Sequence, residues 1–307
     1  MNPQPTGAPD ANPERSGMGF IALLVPTFCL IVLGALVRAN EAGLACPDWP
    51  LCFGRLVPEM DLKVGFEWSH RVLAGAVALG FVALATRLLR RPETPSGARR
   101  LVLLAAALLA LQVLLGALTV WKLLAAWSVT SHLITGNAFA LTLLLIALSL
   151  RHGGDGVGDP RPSTRLRAWL VAAGALLLLQ LVLGGLVSSR FAGLACPEWP
   201  ACNGGVWFPS WGGNVGLHLL HRWNALLVVG AVLGAAFVAR SEPSARPATA
   251  LAAGLVLVQL GVGIANVVLG IPVEVTGLHS ALATALVLTL GAASHAAWRR
   301  RSGPAER

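Results

Sequence analysis

The chain has 307 residues, of which 55% are hydrophobic and only 12% are charged. That apolar content is far above the usual share for a soluble domain, so water is excluded as the main solvent of most of the chain. A net charge of +9 would suggest nucleic acid in a soluble protein, but here its distribution between loops indicates membrane topology, and we expect no nucleic-acid partner.

Apolar runs of about 20 residues, the length that crosses a hydrocarbon core roughly 30 Å thick, predict eight transmembrane helices. In chain order they cover residues 20–37, 66–88, 101–121, 129–150, 168–188, 215–238, 249–269 and 275–298. Residues 1–17, rich in Pro, Asn and Gly, are predicted to form a disordered tail. Cys29, inside the first run, is expected to be a small buried residue. The chain should therefore be an all-α, multi-pass protein of the lipid bilayer.

Basic residues are unequally divided between the two sides of the membrane. The loops after the second, fourth and sixth helices contain eleven arginines, whereas the opposite loops contain five Lys and Arg residues. Because loops rich in Lys and Arg stay in the cytoplasm, both termini are predicted to be cytoplasmic.

The sequence repeats itself after about 150 positions. Three pairs of segments carry the repeat: AGLACPDWPLC at 42–52 with AGLACPEWPAC at 192–202, EWSHR at 67–71 with HLLHR at 218–222, and VTSH at 129–132 with VTGLH at 275–279. The repeat predicts two tandem, pseudo-symmetric four-helix bundles of the same orientation. The expected division is a tail at 1–17, a first half at 18–151, a cytoplasmic linker at 152–166, a second half at 167–300 and a tail at 301–307.

Four of the five cysteines form two Cys-x5-Cys pairs in the loops assigned to the outer face. Because an oxidising compartment allows thiols to join, we predict the disulfides Cys46–Cys52 and Cys196–Cys202. Each bond would either shape a loop over a site below it or serve as a redox-active pair. Zinc is not favoured, since the spacing is not Cys-x2-Cys and the loops contain no histidine.

Five histidines lie within a turn or two of the outer ends of the even-numbered predicted helices: His70, His132, His218, His221 and His279. Polar groups at membrane depth are costly and mark functional sites by default. One histidine from the second and one from the fourth helix of each half can converge and bind a haem iron from both sides. The predicted pairs are His70 with His132 and His221 with His279. Two imidazoles without carboxylates or thiolates suit zinc and copper less well.

Residues beside these histidines are candidates for supporting roles. Arg71 and Arg222 would either pair with haem propionates or extend to the lipid interface. Glu67 lies three residues before His70 on the same helical face. It would carry protons, stabilise charge during oxidation, or accept an imidazole N–H. The second half has His218 at that position, so only the first half is expected to carry out chemistry. Small residues that would leave room for a flat macrocycle are Ser69, Gly75, Gly136, Gly277 and Ala281.

Together these motifs resemble the haem A synthase family, over nearly the whole chain from about Phe20 to Trp298. The resemblance is carried by GLACPDWPLC in the first outer loop, EWSHR at 67–71, the duplicated four-helix unit and the four spaced histidines. It implies an oxidoreductase whose substrate is haem O. Successive hydroxylations of the C8 methyl would give a geminal diol that dehydrates to the formyl group of haem A, the haem of terminal oxidases.

The resemblance also implies roles for individual residues. The first half would bind the substrate haem between His70 and His132, with Glu67 required for the reaction. The second half would hold a permanent haem b between His221 and His279, which passes electrons.

His218 matches no ligand of the family and is expected to lie beside the haem b ligands without binding iron. The protein is expected in the plasma membrane of a bacterium, with its haem sites toward the outer, periplasmic face. The sequence does not identify the electron donor. It also leaves open assembly with the farnesyltransferase that makes haem O or with further copies of this chain.

Two other functions are compatible with parts of the pattern. A di-haem b-type cytochrome would only transfer electrons and would need two equivalent permanent haems, whereas Glu67 and His218 make the halves unlike. A membrane thiol oxidoreductase would use the outer cysteines, but that class usually has Cys-x-x-Cys and a quinone pocket, and neither is evident in the sequence.

Overall fold

The computed structural model describes residues 13–151 and 163–299, which form eight α-helices and one short 3-10 turn at Ala239–Ser241. In chain order the helices are α1 Pro13–Ala39, α2 Leu62–Leu89, α3 Ser96–Trp121, α4 Ala126–Arg151, α5 Thr164–Ser189, α6 Gly213–Val238, α7 Arg246–Val268 and α8 Val273–Trp298. Each contains a span long and apolar enough to cross a membrane. A helix bonds its own backbone N–H and C=O groups, as a segment inside lipid must. The predicted all-α, multi-pass architecture is confirmed.

All eight helices begin earlier than the apolar runs predict, and two of them decide where the predicted tail and linker end. α1 starts at Pro13, so the prediction of a disordered tail is wrong for residues 13–17. α5 starts at Thr164, where the side chain of Ser163 caps the helix by accepting the N–H of Leu166 at 3.2 Å. α5 therefore begins at its capping residue and not at the edge of the apolar run, as does α2, which Asp61 caps;. The remainder of the predicted tails and of the linker from 152 to 162 lies outside the described residues.

Large apolar side chains cover the outside of the bundle. Leu79, for example, is 74% exposed and Phe237 is 62% exposed. Lipid tails are as apolar as these side chains, so the hydrophobic effect does not drive them inward. For the same reason the prediction that Cys29 is buried is wrong: its side chain is exposed on α1.

The helices contact one another mainly within two sets of four. α1 packs against α2 and α4, and α3 against α4 and, weakly, α2; α5 to α8 contact one another in the corresponding way. The two sets meet where α8 packs on α1 and where α4 packs on both α5 and α8. α4 is therefore the most enclosed helix: 56% of the residues in its 18-residue apolar stretch are buried, against 11–33% in the other helices.

Each set of four helices has its own apolar core, at the end away from the disulfide loops. In the first set Phe81 and Phe139 meet edge to face at 5.5 Å within this core. In the second set Leu166, Val232 and Leu286 are among the buried residues. At the other end, the buried clusters found among the described residues are small and surround the two disulfides. The firm apolar packing thus leaves one end of the bundle to polar residues.

Gly185→Ala should lower the free energy of unfolding by about 1–3 kcal/mol, because the new methyl would overlap a buried side chain. Gly185 is a point of close approach between α5 and α4. A Cβ added there would lie 2.8 Å from Cγ2 of Thr130 on α4. Thermal unfolding in detergent, followed by circular dichroism, measures the effect.

Gly174→Ala is the matched control on the same helix. Nothing lies within 4 Å of a Cβ added there, so the change should be neutral or slightly stabilising through helix propensity. Equal melting temperatures for the two variants would contradict the close packing of α4 on α5.

Candidate functional site

The candidate site occupies the end of the bundle where the even-numbered helices begin. His70, His132, His221 and His279 lie in the first three turns of α2, α4, α6 and α8, respectively. Because the chain alternates direction from one helix to the next, these starts share one end of the bundle. All four histidines are therefore near the disulfide loops and at a similar depth.

Each of these imidazoles lies against a glycine of the preceding helix. The pairs, with the distance from the ring Cε1 to the position that a glycine Cβ would take, are Gly34 with His70 at 3.0 Å, Gly116 with His132 at 3.3 Å, Gly184 with His221 at 3.1 Å, and Gly263 with His279 at 3.1 Å. A methyl at that distance would be tighter than an ordinary contact. Glycine is thus the residue that lets each ring lie flat against the neighbouring helix.

A glutamine accompanies three of the four imidazoles. Its Nε2 donates to the backbone carbonyl of the histidine itself: Gln112 to His132 at 3.1 Å, Gln180 to His221 at 3.1 Å, and Gln259 to His279 at 3.0 Å. The same amide nitrogen lies 3.1–3.4 Å from a ring nitrogen. Each glutamine precedes its glycine by four residues, about one helical turn, so both residues face the same histidine.

These four glycines are not among the small residues that were predicted to lie beside a haem. Two of the predicted residues have different neighbours: Gly136 packs against Gln112, and Gly277 packs against Leu36. The spacing Gln-x3-Gly on α3, α5 and α7 was the available signal. It becomes meaningful only when the facing helices are known.

The two histidines of each predicted pair lie near each other, while their pairing about a haem stays a prediction. His70 is within electrostatic range of His132, and His221 is within electrostatic range of His279. Nδ1 is buried without a hydrogen-bond partner in His70, His132 and His279. Leaving a buried polar atom unpaired costs about 1–3 kcal/mol. Across 13–151 and 163–299, no three or more His, Cys, Asp or Glu residues gather as a metal site.

Both predicted disulfides are confirmed: Cys46 is bonded to Cys52, and Cys196 to Cys202. All four cysteines are buried. Each bond closes a loop at the histidine end of the bundle, and each loop contains a cis Trp-Pro bond.

A carboxylate just inside each disulfide ring folds the loop back on itself. Asp48 accepts the N–H groups of Phe53 and Gly54, at 2.6 and 2.8 Å. Positive φ at Gly54 turns its N–H toward the carboxylate;. The N–H of Gly54 is the main cause that holds the pKa of Asp48 below its usual range, and in the second loop the N–H of Gly205 does the same for the pKa of Glu198.

Glu67 ties the first loop to α2. One carboxylate oxygen accepts the N–H of Cys46 at 2.9 Å, and the other accepts Nη2 of Arg71 at 2.6 Å. Arg71 also donates to the carbonyls of Cys46, Asp48 and Leu51. Only 5% of Glu67 is exposed, so its charge depends on these partners. Among the described residues the bonds of the Glu67 carboxylate run to the loop and to Arg71, and no imidazole N–H bonds to it.

His218 takes the place of Glu67 in the second half. Its Nδ1 faces the N–H of Cys196 at 3.4 Å, and its Nε2 faces Nε–H of Arg222 at 3.2 Å. Arg222 also donates to the carbonyls of Cys196 and Ala201 and lies over the ring of Trp199. A neutral imidazole accepts at one nitrogen only, so His218 cannot satisfy both donors as a carboxylate does. His218 therefore accepts from one of these two donors, and its ring N–H donates to the backbone of Ala192.

The two arginines thus have the same task in both halves. Each lies four residues after Glu67 or His218 and bonds to that residue and to loop carbonyls. Pairing of Arg71 and Arg222 with haem propionates stays a prediction.

His218→Glu should slow reduction of the Cys196–Cys202 bond by dithiothreitol, because a carboxylate accepts from both Cys196 and Arg222 at once. One additional bond, worth about 1 kcal/mol, corresponds to roughly fivefold in the rate of loop opening. Timed alkylation of the free thiols, followed by mass spectrometry, measures the rate.

The reciprocal change, Glu67→His, should accelerate reduction of Cys46–Cys52 by a similar factor. Unchanged rates in both variants would show that these side chains do not hold the loops.

The fold and the site define a class of protein: a multi-pass helical membrane protein in which four half-buried histidines on alternate helices lie beside two disulfide-closed loops. The family model COX15-CtaA, described as cytochrome oxidase assembly protein, matches residues 19–65 and 59–290. The chain belongs to this family. The matched segments contain all four histidines and both disulfides.

Three similar proteins are each named heme A synthase. That of Shewanella oneidensis is 30% identical over 320 residues, which cover 91% of this chain and 96% of the relative. That of Rhizorhabdus wittichii is 29% identical and covers 94% and 95%, respectively. That of Halalkalibacterium halodurans is 29% identical and covers 85% and 90%.

Proposed function

We propose that this chain is a haem A synthase, an oxidoreductase that converts the C8 methyl of haem O into the formyl group of haem A through successive hydroxylations. Membership of the COX15-CtaA family and relatives named heme A synthase along nearly the whole chain support this activity. The observation in the structure that carries it is the presence of two pairs of histidines at one depth, one pair in each set of four helices.

Haem fits the residues at this end of the bundle. His70 with His132, and His221 with His279, would hold a haem iron through their imidazole nitrogens. His70, His132 and His279 each have a buried ring nitrogen without a partner, and binding of iron would remove the cost of that unpaired nitrogen. The flanking glycines orient the rings without a side chain against them. The bound haem supplies the redox chemistry, and the chain binds and orients it.

Within this proposal the two pairs have different tasks. His70 and His132 bind the substrate haem in the first four-helix bundle, at 18–151. His221 and His279 bind a resident haem b in the second, at 167–300. The difference that supports this assignment is Glu67, a carboxylate one helical turn from His70 that the second half replaces with His218. A carboxylate at this position can accept a proton released during oxidation.

The same proposal includes the orientation in the membrane. The excess of arginine in the loops at the far end of the bundle supports cytoplasmic termini. The histidines and disulfides then lie toward the outer face of the plasma membrane, where the cysteines can be oxidised. A di-haem cytochrome that only transfers electrons is not favoured, because the relatives are named for synthesis of haem A.

Glu67→Gln should leave haem bound but lower the yield of haem A by about 10²–10⁴, the usual contribution of a positioned proton acceptor. The amide keeps one oxygen that accepts from Cys46 or Arg71 and loses the other bond, so the rate of Cys46–Cys52 reduction, measured alongside, separates loss of the proton acceptor from loosening of the loop. Haem extraction and chromatography, after co-expression with a source of haem O, measure the yield.

The matched control is His218→Gln, at the equivalent position of the second half, which should still form haem A. A normal yield of haem A from Glu67→Gln would overturn the catalytic assignment and leave Glu67 as an anchor of the loop.

His221→Ala and His279→Ala should each lower the haem b content by at least about tenfold, since loss of a ligand exceeds the usual effect of losing a residue that orients one. Reduced-minus-oxidised spectra of the purified protein measure this content. His70→Ala and His132→Ala serve as controls that should keep haem b. Unchanged haem b in the first two variants would point to another pair of ligands.

A further inference from the structure

We propose that the side chains behind the histidines decide which haem leaves the protein: Leu30 and Leu73 make the first site releasable, and Gln180 and Asn224 make the second site retentive. This inference rests on the proposed function, in which the first half exchanges substrate for product and the second keeps its cofactor. It assigns residues that neither bind iron nor belong to the disulfide loops.

The first observation is a missing glutamine. In α3, α5 and α7, the residue four positions before the glycine at the imidazole is a glutamine that donates to the carbonyl of the histidine. In α1 the corresponding glycine is Gly34, and the residue four positions before it is Leu30. Leu30 packs against the apolar core of the first half. Its side chain has no donor for the carbonyl of His70, so α1 bonds this ligand only through the backbone of Leu30 at the imidazole and lacks the bond to the histidine carbonyl that α3, α5 and α7 make.

The second observation is an asparagine, Asn224, at a position where the first half of the repeat has a leucine. Nδ2 of Asn224 donates to Oε1 of Gln180 at 2.7 Å and to the carbonyl of Leu176 at 3.0 Å. Asn224 is 4% exposed and lies three residues after His221. The residue three positions after His70 is Leu73. Polar bonds therefore link α6 to α5 at the depth of His221, whereas leucines occupy the equivalent places between α2 and α1.

The extent of contact between helices also differs between α1–α2 and α5–α6, in the same direction as the polar bonds. Four pairs consist of an odd-numbered helix and the histidine-bearing even-numbered helix that follows it; among these, α5–α6 has the most extensive contact and α1–α2 the least. Interhelical polar bonds within a membrane change helix association by roughly threefold to tenfold each. Residues that orient a metal ligand commonly change metal affinity by about 10–100-fold. His70 is thus the ligand whose helix can move most easily away from its neighbour.

The first site would thus exchange its haem and the second would retain its haem, as the proposed reaction requires. A substrate haem must enter and a product haem must leave in each catalytic cycle, and a resident haem must not. Both bundles have the same four-helix plan, so their difference in exchange has to come from substitutions such as these.

The test transfers the polar network between the halves of the full-length, haem-loaded protein. Leu30→Gln with Leu73→Asn places the network in the first half, and Gln180→Leu with Asn224→Leu removes it from the second. Leu30→Met is the matched control, since it changes the side chain without adding a donor. Each protein is mixed in detergent with excess apomyoglobin, which captures released haem. Absorbance then follows the rate, and chromatography identifies the haem captured.

We expect two phases from the unchanged protein: rapid release of haem O or haem A and slow release of haem b. The transferred network should slow the rapid phase by about tenfold and leave the slow phase unchanged. Its removal should accelerate the slow phase by a similar factor. Leu30→Met should behave as the unchanged protein.

Wild-type rates in both the transfer and the removal variants, with both haems bound, would overturn the inference. Circular dichroism and gel filtration establish folding beforehand, and Gln180→Leu alone decides the matter if a double variant does not fold. Failure of the proposed function gives a different result: only haem b would be found in both sites, while the two rates would still respond to the substitutions.

Discussion

A polar group buried in a membrane must find its partner within the protein, and this constraint organises the end of the bundle that carries the histidines. Water cannot satisfy an imidazole, an amide or a carboxylate at that depth. Nearby residues meet this requirement. A glutamine donates to the backbone carbonyl of a histidine, and a glycine lets the imidazole ring approach the neighbouring helix. Glu67 or His218 bonds to the adjacent disulfide loop. The remaining unpaired nitrogens of His70, His132 and His279 are then the atoms available for a ligand.

The disulfide loops belong to the same arrangement. Glu67 and Arg71 connect the first loop to the helix of His70, and His218 and Arg222 connect the second loop to the helix of His221. A change in either loop is therefore transmitted to a helix that carries a histidine. The duplicated plan keeps these connections in place, while single replacements such as Glu67 by His218 make the two ends chemically different.

Much of the site could be predicted because its signals are local or repeated. Cys46 and Cys52 are close in sequence, and the recurrence of the motif at Cys196 and Cys202 leaves little choice of partners. The supporting residues were harder to find because they lie on neighbouring helices. Gln112 and Gln259 precede their histidines by 20 residues, but Gln180 precedes His221 by 41. A fixed sequence separation could not identify it, since it packs against the helix that follows across a long loop.

The sequence by itself determined the eight apolar spans, the pairing of the cysteines and the depth of the histidines, because lipid permits only helices and the repeat aligns their polar positions. The tertiary structure alone decided which atoms meet. Glu67 shares a helical face with His70, but it bonds to Cys46 and Arg71 because the disulfide loop folds back over the start of α2. The positions of Gly34 and Leu30 beside His70 can be recognised only when the packing of α1 on α2 is known. A helix presents several neighbours to each side chain, and packing selects among them.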